Sequence, residues 1–248
     1  MVRTKKYPAR LLVALTALSL FLLLLTSCAG TSPDGTGGDD TGTGDNSSDS
    51  GADEITDPGT EETPVDTERH TYTFVSKNGD TYTYADGENT VTMTAVCESG
   101  TASALSVEGN TVTIRGLAAD SIFAFSGTFY GNLVVEGTED FSCEVVFSGF
   151  SLTSYDACPV TFTGLDEATL SAKKGTENYI YDLRETVSDE DISAAVYADC
   201  DLSLQGKGTL TVVSENNNGV HTKADLKVKN LTLKVECEDN ALIGTDSV

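Results

Sequence analysis

The sequence predicts an all-β fold, namely a parallel β-helix that is preceded by an N-terminal β cap. From Thr71 onward, short runs alternate apolar and polar residues, without the period of an amphipathic helix. Thr and Val are frequent in these runs, as they are in pleated strands. In the C-terminal part the pattern recurs after 24 and then 22 residues, a period typical of solenoids.

The first strands are predicted to form a hairpin within the cap. The runs Thr71–Val75 and Thr81–Tyr84 alternate and flank Asn78-Gly79, a strong short-range hairpin signal. Further alternating runs are Thr90–Val96, Thr111–Ile114, Ile122–Phe125, Leu133–Val135, Glu144–Phe147, Val160–Phe162 and Ala168–Leu170. We expect the segment from Thr71 to about Thr128 to cover the N-terminal end of the solenoid, because an open turn exposes unpaired backbone groups.

The solenoid repeat is seen when residues 195–204 are placed over residues 219–228. Val196 then coincides with Val220, and a third copy begins at Ala241. Such a repeat has no room for a helix, which argues against a leucine-rich repeat and leaves the parallel β-helix. The residues predicted to point inward are Val196, Leu202, Leu204, Leu210, Val212, Val220, Leu226, Val228, Leu233 and Val235. Val248 falls at the start of a predicted strand, so we expect the chain to be truncated at its C-terminus.

Residues 1–27 are predicted to be a lipoprotein signal peptide. Basic residues precede the apolar run Leu11–Leu25, which is shorter than the about 20 residues of a membrane span. The sequence Leu25-Thr26-Ser27-Cys28 resembles the bacterial lipobox, in which Cys28 is lipidated. An uncleaved signal anchor is the alternative. The predicted localisation is the extracellular face of the cell membrane, held by a lipid anchor at Cys28.

Residues 28–68 are predicted to be a disordered acidic tether. Gly, Ser, Thr, Asp and Glu dominate this stretch, and Ile55 and Val65 are its large aliphatic residues. Such a composition cannot bury enough apolar surface to offset the entropy lost on folding. The domain organisation predicted from the sequence is therefore a signal peptide at 1–27, a tether at 28–68 and a β-helix domain at 69–248.

The charge balance excludes several classes of partner. The chain has 39 Asp plus Glu against 15 Lys plus Arg, a net charge of −24. Nucleic acid is excluded because phosphate binding needs clustered basic residues, and a basic membrane-binding patch is excluded for the same reason. Two His residues and no Trp argue against a histidine-rich metal site and a Ser-His-Asp triad.

The C-terminal repeats carry motifs of a known family. The stretches Lys174–Asn178, Asp201–Val212 and Asn218–Leu226 resemble the clostridial carbohydrate-binding β-helix proteins that are similar to polysaccharide lyases, and a weaker match extends upstream to Glu108. The resemblance implies a right-handed parallel β-helix on a secreted or surface protein. It also implies binding of cellulose and of acidic, pectin-like sugars, with bound calcium and without demonstrated cleavage.

Acidic and amide residues recur near the predicted corners of the solenoid. The candidate calcium ligands are Asp199, Asp201, Asp225, Asp239, Asp246, Asn218 and Asn240. Stacked turns about 4.8 Å apart would bring such side chains together, and calcium takes six to eight oxygens. Asn218 and Asn240 stand where the family pattern has an acidic residue, so they would supply an oxygen but no charge. The alternative is that Asp and Asn simply form turns.

Sugar-binding platforms are normally aromatic, because a ring face stacks on the C–H face of a sugar. With no Trp in the chain, the candidates are Tyr155, Tyr179, Tyr181 and Tyr197. Packing in the core or in a loop is the alternative for each of them.

Other reactive residues have simpler interpretations. Lys173, Lys174 and Lys223 are candidates for the base of a β-elimination, but solvated or ion-paired lysines are the alternative. His221 is predicted to be an exposed corner residue. Apart from Cys28, the cysteines are Cys97, Cys143, Cys158, Cys200 and Cys237. Their number is odd, so at least one is unpaired, and we expect small buried apolar residues rather than a disulfide ladder.

The function predicted from the sequence is a lipid-anchored, non-catalytic surface protein. It would bind a plant cell-wall polysaccharide, either cellulose or a pectin-like acidic glycan, with calcium as a candidate cofactor. Two alternatives stay open: a calcium-dependent polysaccharide lyase, and a non-catalytic surface adhesin with a protein partner.

Overall fold

The structure is a computed structural model that describes residues 68–186 and 192–248. The predicted signal peptide, Cys28 and the tether up to residue 67 lie outside the described residues. Within the described ranges the chain forms β-strands and one 3-10 turn at Ala102–Ala104, which confirms the all-β prediction. None of the helical structure in these ranges is both long and apolar enough for a membrane span.

The strands follow one another with short connections. Numbered in chain order, they are β1 (Thr73–Asn78), β2 (Thr81–Asp86), β3 (Asn89–Ser99), β4 (Leu105–Glu108), β5 (Thr111–Arg115), β6 (Ser121–Tyr130), β7 (Asn132–Glu136), β8 (Cys143–Ser154), β9 (Val160–Thr163), β10 (Glu167–Ala172), β11 (Glu177–Asp182), β12 (Ala194–Ala198), β13 (Asp201–Gly206), β14 (Thr209–Ser214), β15 (Asn218–Thr222), β16 (Leu226–Lys229), β17 (Thr232–Cys237) and β18 (Leu242–Gly244). Each predicted alternating run lies within or overlaps one of these strands.

The strands wind into a parallel β-solenoid of about five turns, as predicted. One sheet has eleven strands, and the other has seven in the order β18-β15-β12-β9-β7-β5-β4. In the larger sheet, β6 and β8 are long enough to run along two faces of the solenoid. They bend at Gly127 and Gly149, whose positive φ values of 88° and 72° favour glycine. After the bend, β8 pairs with β11, whereas before it β8 pairs with β10.

The register between turns confirms the predicted repeat. Val196 pairs with Val220, and Val220 pairs with Leu242. Leu202 pairs with Leu226, and both are at most 2% exposed. Like side chains therefore stack along the axis, and burial of these stacks sets the register. Val228 departs from the prediction: it is 42% exposed because β16 is the edge strand of its sheet path.

The N-terminal strands form the cap. Strands β1, β2 and β3 are antiparallel to one another, and β3 pairs antiparallel with β6. The hairpin turn is formed by Gly79 and Asp80, because Asn78 already pairs with Thr81. Strands β5 and β6 are parallel to β7 and β8 and so belong to the solenoid. The cap therefore ends before Thr111, and the boundary predicted near Thr128 lies too far along the chain.

The core changes in character along the axis. Phe125, Phe147 and Phe150 pack together in the early turns, with ring centroids 4.9 to 6.5 Å apart. Later turns are filled by aliphatic residues such as Leu204 and Val212, both 0% exposed. This continuous core holds the outer strand faces in fixed positions.

The cysteines of the described ranges are all free, and no disulfide ladder forms. Cys143, Cys158 and Cys200 are buried, as predicted, whereas Cys97 and Cys237 are partly exposed. Burial raises the pKa of Cys143 to about 12, and those of Cys158 and Cys200 to about 11. Since the thiolate is the nucleophile, the three buried thiols should be unreactive at neutral pH.

We expect iodoacetamide near pH 8 to alkylate Cys97 and Cys237 in the native protein and to leave Cys143, Cys158 and Cys200 unmodified. Peptide mass spectrometry would give the extent at each site. The same treatment after denaturation is the control and should modify all five. Native labelling of Cys158 at the rate of Cys237 would contradict the burial described here.

Candidate functional site

Two tyrosines share an outer face of the solenoid. Strand β11 alternates, so that Asn178, Ile180 and Asp182 are buried while Tyr179 and Tyr181 face outward. The two rings are nearly parallel, with centroids 5.9 Å apart and an interplanar angle of 5°. The strand thus holds two aromatic rings side by side at a fixed spacing.

Small side chains surround this pair on the neighbouring strands. Register partners are Ser151 and Thr211 for Tyr179, and Thr153 and Val213 for Tyr181. We call these six residues the tyrosine face. Parallel strands are about 4.8 Å apart, so the five strands β6, β8, β11, β14 and β17 form a surface roughly 19 Å wide. Such a surface can support an extended, flat ligand.

The tyrosine hydroxyl groups stay protonated over the physiological range. Partial burial raises the pKa of both Tyr179 and Tyr181 above the usual 10.0. A hydrogen bond to Glu177 also raises the pKa of Tyr179, whose hydroxyl donates to Oε2 of Glu177 over 3.2 Å. Each ring therefore combines an apolar face with a hydrogen-bond donor.

A buried ion pair lies beneath one end of the tyrosine face. The Arg184 Nε and Nη2 atoms donate to the two carboxylate oxygens of Asp182 over 2.7 and 2.6 Å. Asn217 Nδ2 also donates to Asp182 over 3.0 Å, and Arg184 donates to the carbonyl oxygens of Ile192 and Ala194. The side chains of Asp182 and Arg184 are 0% and 4% exposed. The pair therefore ties the end of β11 to the start of β12.

A buried asparagine supports the opposite end of β11. The Asn178 side chain is 0% exposed. Its Oδ1 accepts hydrogen bonds from the backbone N–H groups of Gly149 and Phe150 over 2.9 and 3.1 Å, and its Nδ2 donates to the carbonyl oxygen of Thr209 over 3.0 Å. One amide thus joins three successive turns at the corner that precedes Tyr179.

The other two candidate tyrosines lie elsewhere. The Tyr155 hydroxyl donates to the carbonyl oxygen of Glu68 over 2.6 Å, and the Arg69 guanidinium carbon lies 5.5 Å from the Tyr155 ring centroid. Tyr197 is 8% exposed and packs beside Cys158 and Ala194. Its ring is therefore covered. Of the four candidates, the structure brings together Tyr179 and Tyr181.

The seven candidate calcium ligands are divided among several places. Asp201 and Asp225 stack in one corner, where Asp201 Oδ1 accepts from the Asp225 backbone N–H over 3.2 Å and Asp201 Oδ2 accepts from Lys227 over 3.3 Å. Asn218 and Asn240 stack in another, with the Asn240 side-chain amide donating to Asn218 Oδ1 over 3.1 Å. These contacts join one solenoid turn to the next, since their partners are 22 to 26 residues apart in sequence.

The remaining three acids stand apart from these stacks. Asp199, Asp239 and Asp246 are exposed, and Asp199 Oδ1 accepts from the Gly164 backbone N–H over 2.8 Å. Within residues 68–186 and 192–248, no three His, Cys, Asp or Glu side chains are placed to hold a metal ion together. The oxygens that a calcium ion would need are thus spread over separate corners.

The candidate bases also occupy ordinary surroundings. Lys223 Nζ lies 5.7 Å from the Tyr197 ring centroid, and the hydrogen bond to Tyr197 raises the Lys223 pKa. A raised pKa favours the ammonium form, which cannot accept a proton. His221 is partly exposed, and burial lowers its pKa. Lys173 and Lys174 are exposed at the corner after β10.

Sequence reasoning missed the buried polar groups that hold β11 in place. Asp182, Arg184, Asn178 and Asn217 are all nearly inaccessible to solvent. Asn178 and Asp182 occupy the inward positions of an alternating strand, where an apolar residue is normally expected. That inversion of the pattern is the signal in the sequence that could have identified them.

Comparison with known proteins gives consistent results. Residues 108–248 match the model of a family described as carbohydrate-binding domain-containing protein. A curated protein of that description from Acetivibrio thermocellus is 28% identical over 137 residues, which cover 52% of this chain and 48% of the relative. The chain therefore spans about half the length of this curated relative.

A solved structure also matches part of the chain. It is described as a polysaccharide lyase-like protein from C. thermocellum, in a gadolinium derivative, and is 28% identical. The match covers 52% of this chain and 54% of that chain, with a TM-score of 0.46. Because the family model covers more than half of the sequence, at residues 108–248, the chain belongs to the family of carbohydrate-binding domain-containing proteins.

Proposed function

We propose that the protein binds a plant cell-wall polysaccharide, cellulose or a pectin-like acidic glycan, on the tyrosine face and does not cleave it. A lipid anchor at Cys28 would hold the protein at the extracellular face of the membrane, with the tether as spacer. The observation that carries the proposal is the parallel pair of Tyr179 and Tyr181 on an outer sheet surface. Membership of a carbohydrate-binding family supports it.

The proposed mechanism is stacking on a preformed platform. The rings of Tyr179 and Tyr181 would lie against the C–H faces of successive sugars, while Ser151 and Thr211 offer hydroxyl groups beside them. Both rings are held by a strand whose inward residues are 0% exposed, so little side-chain or backbone freedom is lost on binding.

Replacing both tyrosines, Tyr179→Ala with Tyr181→Ala, should weaken retention of the full chain on insoluble cellulose by roughly 10- to 30-fold, because two stacking contacts of about 1 kcal/mol each are lost. Pull-down isotherms would measure the change. Phe74→Ala is the matched control, since it removes a ring that is 51% exposed in the cap. Unchanged retention of the double variant would refute the proposed face.

Polygalacturonate tests the acidic-glycan and calcium predictions in the same format. Calcium-dependent binding stays a prediction. Of the candidate ligands, Asp199, Asp201 and Asn218 already accept hydrogen bonds within the solenoid. Retention with calcium and its loss with chelator would support that prediction. Growth of ultraviolet absorbance from an unsaturated product would instead establish a lyase. A folded protein that binds neither cellulose nor polygalacturonate would favour the adhesin alternative.

A further inference from the structure

A groove on the outer surface of the larger sheet gathers four lysines. Lys173, Lys174, Lys207 and Lys229 line it, together with Glu144, Ser171, Gln205 and Asn230, and its volume is about 400 Å³. We call it the lysine groove. The chain as a whole carries a net charge of −24. A concentration of positive charge is therefore the exception on this protein, and the fold creates it.

The register explains how residues far apart in sequence meet. Lys173 follows β10, Lys207 follows β13, and Lys229 ends β16, and these three strands are adjacent and parallel. Gln205 on β13 pairs with Lys229, and the Lys207 backbone N–H donates to the carbonyl oxygen of Ala172. Successive strands about 4.8 Å apart thus bring these lysines to one groove.

The ammonium groups in the groove are not neutralised by the protein. Within the described ranges, none of the four lysines has an ion-pair or hydrogen-bond partner for its side chain, whereas Lys227 nearby is paired with Asp201. The carboxylate of Glu144 lines the groove, and its Oε1 accepts from the Ser171 hydroxyl over 2.6 Å. Four lysines and one glutamate therefore line the groove.

Because salt screens distant charges, the local excess of lysines affects an anion in the groove more than the net charge of the chain does. At physiological ionic strength the Debye length is about 8 Å, so acids elsewhere on the surface are largely screened from a ligand in the groove. An anion that enters the groove therefore meets mainly the lysines. Gln205 and Asn230 add neutral amide groups that can donate hydrogen bonds.

The geometry of lysine suits an anion that has several oxygens to share. Arginine presents a planar fork that binds carboxylate and phosphate alike, and no arginine lines the groove. Lysine ammonium groups are point charges with freely oriented donors. A sulfate or phosphate ester has three terminal oxygens in a tetrahedral arrangement, so lysines from two strands can bind one group together.

We propose that the lysine groove is a second glycan-binding site, separate from the tyrosine face, that binds polysaccharides carrying sulfate or phosphate esters directly and without a metal ion. The groove is open along the sheet and crosses several strands, which suits a polymer that carries repeated anionic groups. Binding by this route depends on ionic strength, because each contact displaces counterions.

Dextrans with different substituents test the type of anion on one backbone. The full chain, in chelator, should bind dextran sulfate and dextran phosphate, should bind carboxymethyl dextran of equal substitution more weakly, and should not bind plain dextran. With four lysine contacts, affinity for dextran sulfate should fall about 100-fold between about 50 and about 200 mM salt. Equal binding to carboxymethyl dextran and dextran sulfate, or an absence of binding to both esters, would overturn the proposal.

Variants locate the site. Lys173→Gln with Lys207→Gln should weaken binding to dextran sulfate about tenfold, and Lys174→Gln with Lys229→Gln should do so independently. Lys77→Gln with Lys223→Gln is the control, since it removes the same charge outside the groove, and it should bind like the wild type. Equal losses in the groove and control variants would overturn the assignment, because binding would then follow net charge alone.

The two glycan sites are distinguished by testing the variants of each site with the ligand of the other site. The groove variants should retain full binding to cellulose, and the double tyrosine variant should retain binding to dextran sulfate. Circular dichroism must show the same folded β-structure for every variant. Loss of cellulose binding in a folded groove variant would show that the groove is not a separate site and would contradict the proposal.

Discussion

Replacing Arg184 with alanine should lower the free energy of unfolding by about 3–5 kcal/mol, which is a large part of the stability of a domain this size. The substitution leaves the Asp182 carboxylate buried, at 0% exposure, without its partner. It also removes the donors to the Ile192 and Ala194 carbonyl oxygens. Urea unfolding followed by circular dichroism would measure the change.

Arg115 provides a control because it forms the same type of ion pair at a solvent-exposed position. Its guanidinium also makes two hydrogen bonds to one carboxylate, that of Glu136, over 2.6 and 2.7 Å, but its side chain is 65% exposed. Arg115→Ala should therefore cost about 1 kcal/mol or less. If the two arginine variants were equally stable, burial would not be the cause of the predicted effect.

A double replacement tests whether an unpaired buried charge, rather than the loss of hydrogen bonds, causes the lower stability. Asp182→Leu combined with Arg184→Met removes both charges, so no unpaired buried charge remains. This variant should be more stable than Arg184→Ala, although it still leaves the Asn217 amide without the Asp182 acceptor. A double variant less stable than the single one would show that the network stabilises chiefly through its hydrogen bonds.

Asn178→Ala should lower the free energy of unfolding by about 2–4 kcal/mol. It deprives the backbone N–H groups of Gly149 and of the buried Phe150 of their acceptor, and the Thr209 carbonyl oxygen of a donor. Because Asn178 immediately precedes Tyr179, we also expect weaker retention on cellulose at temperatures where the variant remains folded. Thermal unfolding and the cellulose pull-down would measure the two effects.

Asn132 provides the matched asparagine control. It lies at the start of β7, it is partly exposed, and its Oδ1 accepts one hydrogen bond, from the Thr111 hydroxyl over 3.2 Å. Asn132→Ala should cost about 1 kcal/mol or less, because water can replace that contact. A loss at Asn178 no greater than the loss at Asn132 would refute the supporting role assigned to Asn178.

Much of the fold could be predicted from the alternation of apolar and polar residues and from the repeat of the C-terminal pattern. Val196, Val220 and Leu242 were aligned from their spacing, and the structure pairs them in that register. The reason is that a side-chain period of two, together with a repeat of 24 and then 22 residues, leaves one register that buries these apolar positions. Val228 follows the same pattern but is 42% exposed, because burial also requires a neighbouring turn.

The candidate sites could be predicted only in part. The sequence offers Tyr155, Tyr179, Tyr181 and Tyr197 as candidate sugar-binding rings, because the chain has no Trp. It could not separate Tyr179 and Tyr181 from Tyr197, whose ring the fold covers beside Cys158 and Ala194. Nor could it distribute the acidic residues among corners, because that depends on where each turn bends.

The sequence by itself determined the strand pattern and the stacking register, since both follow from local periodicity and from a repeat that the chain displays directly. Only the tertiary structure decided that Asp182 and Arg184 form a buried pair and that lysines from three strands line one groove. Asp182 and Arg184 are close in sequence, but their burial depends on neighbouring turns, which also supply Asn217 and Ala194 as partners. The lysines are far apart in sequence and meet only because their strands pair.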